Sequence, residues 1–235
     1  MTIITNNSNY KPTITSTQVL QGNPNPPTNN NMAFIAQGPP AQQAQGGINP
    51  QQVARAVEDR DIAIEQAGQL SRQIAQVSTA DNLNGNLLNQ LNVQYAQAQA
   101  TIDKSNLTIA TAGGGTQRQI AERFARLQRN SLGIIEGELE RIVKPLGNNF
   151  RAGLVRDMLG EIQGERFIYN QLLNGANLPT QAELNRNLNN VQARIRRNGL
   201  NNEYAEARQI QGDIFGQMKA INILNNLLQP IQQNP

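Results

Sequence analysis

The sequence predicts an all-α protein: an antiparallel helical bundle of about five to six helices over residues 49–229, preceded by an extended N-terminal arm, residues 1–48, and followed by a short tail, residues 230–235. Three observations predict it. From Asn49 onward apolar residues recur at three-, four- and seven-residue spacings, which place them on one face of a helix. The breaks between these runs are short and carry capping residues, as antiparallel neighbours require. No strand pattern competes convincingly with the helical one.

The arm is rich in Asn, Gln, Pro, Gly and Thr, as in Asn23–Asn31 and Gly38–Gly47, and its only charged residue is Lys11. Such a segment buries too little apolar surface to fold alone. Its short apolar islands, Val19-Leu20 and Met32–Ile35, are candidate anchors. The expectation is an arm that becomes ordered across neighbouring subunits or nucleic acid; in an isolated monomer it reads as a disordered tail.

Each helix has a start signal, an apolar stripe or a stop. Asn49 is the expected N-cap of the first, with Pro50 at the first helical position and Val53, Val57, Ile64, Ala67, Ile74 and Val77 inward. The second follows Ser78, carries Leu88, Leu91, Tyr95, Ala98, Ile102 and Ile109, and ends at Gly113-Gly-Gly115. Thr116-Gln-Arg-Gln119 is a capping box for the third, with Ile120, Phe124, Leu127, Ile134 or Ile135, Leu139 and Ile142 inward and Pro145 as its stop. The fourth, from about Phe150 to Leu173, buries Leu154, Met158, Ile162, Tyr169 and Leu172 or Leu173, with Gly175 as a left-handed cap. Thr180-Gln-Ala-Glu183 opens the fifth, whose stripe is Leu184, Leu188, Val191 and Ile195, closed by Asn198-Gly199. The sixth carries Ala207, Ile210, Ile214, Met218, Ile221, Leu224 and Leu228, and Pro230 ends it.

Composition narrows the function classes. Of 235 residues, 32 are Asn and 29 are Gln, and Cys, His and Trp are absent. That removes thiol nucleophiles, disulfides, Cys/His metal sites and the side chain most used for proton transfer near neutral pH. No phosphate loop, nucleophile elbow or metal-ligand spacing appears, so no catalytic residue, metal, cofactor or small-molecule substrate is expected. The N-terminus shows no basic region followed by an apolar run, so no secretory signal is expected, and no apolar run is long enough to span a membrane. In the helical body the amides are expected on outward positions, giving a surface that hydrogen-bonds with little like-charge repulsion between copies.

The net charge of +3 is unevenly placed: residues 113–199 hold thirteen basic and eight acidic residues, and the chain's cations are sixteen Arg against four Lys. Arg is suited to bidentate phosphate contact. At about 100° per residue, Arg118, Arg123, Arg126 and Arg129 fall within an arc of roughly 140°, opposite Ile120, Phe124 and Leu127. Arg194 and Arg197, with Arg186, lie opposite the stripe of the fifth helix, and Arg196 adjoins them. The structural alternative is a solvated helix face partly neutralised by nearby Glu; the functional reading is sequence-independent contact with the phosphates of a duplex. Gly133-x-x-x-Gly137, Gly160-x-x-x-Gly164 and Gly212-x-x-x-Gly216 place glycines one turn apart inside three helices, where close approach of another helix or a nucleic-acid backbone would offset the helix-propensity loss of about 1 kcal/mol each. The acidic cluster Glu58, Asp59, Asp61 and Glu65 lies near a helix N-terminus, where acids favour the dipole, and is read as structural.

An uncharged Pro/Asn/Gln arm leading into an Arg-dominated, cysteine-free all-α body resembles the coat, or major capsid, proteins of filamentous and rod-shaped double-stranded DNA viruses of archaea. The resemblance covers residues 1–48 as arm and 49–229 as body. It implies a non-enzymatic virion structural protein, located in the virion, whose partners are copies of itself or a paralogous coat subunit and the backbone of double-stranded DNA. Arg118, Arg123, Arg126, Arg129, Arg194, Arg196 and Arg197 are the expected DNA contacts. Two alternatives fit the same sequence: an internal or connector-associated phage virion protein without a nucleic-acid role, and a cellular coiled-coil adaptor that binds partner helices through exposed apolar stripes.

Overall fold

The computed structural model describes residues 49–80, 84–147, 149–198 and 202–229. The arm and the tail expected at the two ends, and Gly199 at the close of the fifth helix, lie outside the described residues. Those described form an all-α bundle of six helices: α1 (Pro50–Thr79), α2 (Gly85–Ala112), α3 (Gln117–Leu146), α4 (Gly153–Leu173), α5 (Gln181–Asn198) and α6 (Asn202–Leu228), with a single 3₁₀ turn, Phe150–Ala152, leading into α4.

Local chemistry sets the starts and ends. Asn49 Oδ1 accepts from the Gln51 N–H with Pro50 at N1, which satisfies one of the helix's orphan donors. Thr116 and Gln119 form the complete capping box, with Thr116 N–H donating to Gln119 Oε1 at 2.9 Å and Gln119 N–H donating to Thr116 Oγ1 at 3.3 Å. Thr180 and Glu183 do the same at α5, at 2.8 and 3.3 Å. Gly175, at φ 68°, ends α4 in the left-handed region, with its N–H bonded to Leu172 O and that of Ala176 to Gln171 O, the doubly bonded closure that needs glycine. Pro145 does not stop α3. It sits in the last turn, where it removes one backbone bond, and the helix runs on to Leu146 before Gly147, at φ 57°, turns the chain.

The predicted stripes are the core, with Leu and Ile supplemented by many alanines. Of the two alternatives in α3, Ile135 is fully buried and Ile134 is 59% exposed. Val53, Val57 and Val77 of α1 are only half-buried, because Ala56, Ala63 and Ala75 lie closer to the neighbouring helices. Consecutive helices α1 to α4 pack as antiparallel neighbours, and α1 also lies on α3.

The bundle departs from strict alternation at its most extensive contact, between α4 and α6, which run parallel, since facing positions rise together along the two helices. α5 carries the chain back along the molecule between them and packs on α6. Gly160 of α4 lies against the backbone of Gln209 and Asp213, and Gly164 against Asp213; reciprocally, Gly212 of α6 lies against Asp157 and Glu161, and Gly216 against Glu161 and Glu165. At each of the four a Cβ would fall on a backbone carbonyl oxygen of the facing helix. Two of the three predicted glycine pairs are therefore one interlocking seam, whose close packing compensates for the weak helix propensity of glycine. The third pair is different: Gly133 lies beneath the Arg166 side chain, and a Cβ on Gly137 would meet open space.

This contrast predicts opposite outcomes for one substitution. Gly160→Ala forces the two backbones apart and should lower stability by about 1–3 kcal/mol or more. Gly137→Ala should raise it, by up to about 1 kcal/mol. Chemical denaturation of both variants checks the pair.

Candidate nucleic-acid interface

The seven arginines proposed for nucleic-acid contact fall into two groups. Three are engaged within the chain. Arg118 pairs with Glu122 at 3.0 Å along α3, remaining exposed. Arg123 reaches back to the end of α2, where it donates to Ala110 O at 2.9 Å and to Gly114 O. It thereby satisfies carbonyls that a helix C-terminus leaves without partners. Arg194 lies 3.8 and 3.9 Å from the carboxylates of Glu203 and Glu206 on α6, and it helps hold α5 in place.

The other four leave their charge toward solvent. Arg126 is exposed and makes no hydrogen bond or ion pair. Arg129 bonds only to the adjacent Asn130, at 3.5 Å. Arg196 and Arg197 are exposed at the end of α5, with Arg197 donating to Ala193 O within its own helix at 3.3 Å. α3 packs on α2 and α4 while α5 packs on α6, so the fold holds the two basic ends on different elements. Arg166 of α4 is an electrostatic neighbour of Arg129. It lies across Gly133 and pairs with Glu136 of α3. The helix periodicity of α3 alone could not have found it, because its position depends on how α4 packs.

Amides line one surface feature. Between α1 and α2, Gln66, Gln69, Gln73, Gln94 and Gln97 border a shallow groove with no charged side chain. Other amides go inward: Asn106 and Gln128 are fully buried and Gln99 and Gln211 nearly so. The expectation that the body's amides face outward thus holds for part of them.

The inward amides belong to a polar centre shared by four helices. Asn106 Nδ2 of α2 donates to Gln128 Oε1 at 3.3 Å and to Ser131 Oγ at 3.2 Å on α3. Gln128 Nε2 donates to Asp103 Oδ1. Lys219 of α6 donates to Glu165 Oε1 of α4 at 2.7 Å and lies 3.9 Å from Asp103 Oδ2. Glu165 is completely buried. Burial works against the charge of Lys219, yet the carboxylates of Glu165, Asp103 and Glu161 hold its ammonium well above the ordinary range. Burial likewise pushes Glu165 up to about 8, against the pull of Lys219 and with Asp103 and Glu161 adding to the rise. One ammonium faces more than one carboxylate, so the centre favours taking up a proton. Tyr169 stands edge-on to Phe124 at 6.0 Å, and burial raises its hydroxyl as well.

Among the described residues no group of carboxylates is placed to hold a metal ion, and no helix is long and apolar enough to cross a membrane. The acidic cluster of α1 is exposed, with Asp61 paired to Arg60 at 2.7 Å. No protein-family model matches the chain, and no curated protein or solved structure matches it.

The buried centre predicts a pH dependence. Glu165 binds a proton more tightly in the folded chain than in the unfolded one, where its value is near 4.5. Its stabilising contribution is therefore complete below that value and is lost as pH rises through about 8. Asp157, pushed up to about 6 by burial against the pull of Arg208, acts in the same direction. Thermal melts from about pH 5 to about pH 8 should show stability falling as pH rises. Glu165→Gln should flatten that slope, and an unchanged slope would assign the dependence elsewhere.

Proposed function

We propose that this chain is a non-enzymatic virion structural protein, a helical coat subunit that self-assembles and packages double-stranded DNA through sequence-independent Arg–phosphate contacts. The observation that carries the reading is that Arg126, Arg129, Arg196 and Arg197 have no carboxylate partner while standing on the outer faces of α3 and α5. Arg118 keeps an exposed guanidinium beside Glu122 and contributes less; Arg123 and Arg194 support the fold and only secondarily the ligand. Each phosphate neutralised releases counterions, so binding of this kind weakens steeply with salt. The uncharged amide groove between α1 and α2 supports close packing of copies, since it offers hydrogen bonds without repulsion.

A second reading is an internal or connector-associated virion protein without a nucleic-acid role. It is favoured by the internal use of Arg118, Arg123 and Arg194. Retardation of duplex DNA of arbitrary sequence separates the two. The coat reading expects retardation at low salt and its loss when Arg126, Arg129, Arg196 and Arg197 are changed together to Glu. Protein that neither polymerises nor retards DNA at low salt contradicts it.

A further inference from the structure

The seam between α3 and α4 carries more positive charge than the helix faces alone suggested. Arg166 of α4 lies over Gly133, one turn after Arg129 on α3, close enough for the two charges to act on each other, and Arg126 stands one turn before Arg129. Of these three guanidiniums only that of Arg166 has a carboxylate partner, Glu136. The nearby acids are committed elsewhere or lie further along the helix: Glu122 pairs with Arg118, and Glu138 with Arg72 and Arg141. Like charges gathered around a single carboxylate are unfavourably placed, and a bound anion would relieve that repulsion.

Gly133 is what makes the arrangement possible. The Arg166 guanidinium lies over it, with an added Cβ 3.4 Å from both Cζ and Nη2, so any side chain larger than alanine would cover or displace the guanidinium. The head group of Arg166 is partly sheltered, its side chain 32% exposed. Burial first, and then the charge of Arg129, hold that guanidinium below its ordinary range. A planar guanidinium fixed in this way has lost its conformational freedom before any ligand arrives, which favours bidentate contact with a phosphate.

We propose that Arg129 and Arg166, flanking Gly133, form a clamp for one phosphate of a nucleic-acid backbone, with Arg126 taking a neighbouring phosphate. The proposal rests on the nucleic-acid reading above and adds Arg166, a residue of α4, to its contacts. The glycine pair of α3 that faces no helix thereby acquires a role at Gly133, as the floor of an anion site.

The test uses the full chain with two probes: a duplex of arbitrary sequence in a salt titration, and inorganic pyrophosphate followed by thermal stabilisation. Arg129→Gln and Arg166→Gln should each make the slope of log affinity against log salt shallower by about one. Both should also abolish stabilisation by pyrophosphate. Arg129 makes only a contact within its own helix, so its variant reports even if changes at Arg166 disturb folding. Wild-type slope and wild-type pyrophosphate response in both variants overturn the clamp while leaving DNA binding to the remaining arginines. Wild-type protein that fails to retard DNA overturns the clamp together with the reading on which it rests.

Discussion

Four glycines set the separation of α4 and α6, and the rest of the bundle is arranged around that contact. With no side chain at Gly160, Gly164, Gly212 or Gly216, each helix backbone lies directly on the other. Side chains at the margins then fix the register: Arg208 pairs with Asp157 at 2.7 Å, Gln209 donates to Gln163 at 2.9 Å and Lys219 reaches Glu165 at 2.7 Å. Parallel neighbours cannot be joined by a tight turn. The chain between them must travel back the length of the pair, and α5 is that return.

The same geometry explains how a charged group comes to be buried. Register along the seam brings Lys219 to Glu165 at the point where α2 and α3 close over the pair, and the amides of Asn106 and Gln128 extend the network to Asp103 and Ser131. A buried lysine–carboxyl pair adds little net stability by itself, because desolvation offsets most of the electrostatic attraction. Its consequence is register: a shift of one residue along the seam would leave the buried Lys219 without its partners Glu165 and Asp103. With the interior so determined, the cations that remain outside, Arg126, Arg129, Arg196 and Arg197, stand on helices whose orientation is fixed.

Much of this was legible in the sequence where the signal was local. The caps at Asn49, Thr116 and Thr180 depend on residues within three positions of each other, and each was readable. The seam was half-legible. Spacing marked three glycine pairs alike, but only packing distinguishes Gly160 and Gly164, pressed on a backbone, from Gly137, which faces open space. Glu165 went unremarked in the sequence although it lies between Ile162 and Tyr169 of an apolar stripe, because its partner lies 54 positions away and no local rule connects them. For the arginines, the helical arc correctly placed Arg123 opposite the apolar stripe, but its long side chain reaches back to the end of α2, a destination that depends on the loop at Gly114. Arg166 was missed because a site formed between two helices has no single-helix periodicity.

The α4–α6 seam should be the most stable part of the molecule, and α5, held mainly against α6, its most readily opened helix. Native-state hydrogen exchange measures this directly. The amides of Leu159–Ile168 and Gln211–Ala220 should exchange only through global unfolding, while those of Gln181–Asn198 exchange through local opening well before it. Exchange in the centre of α4 and α6 as fast as in α5 would contradict the account.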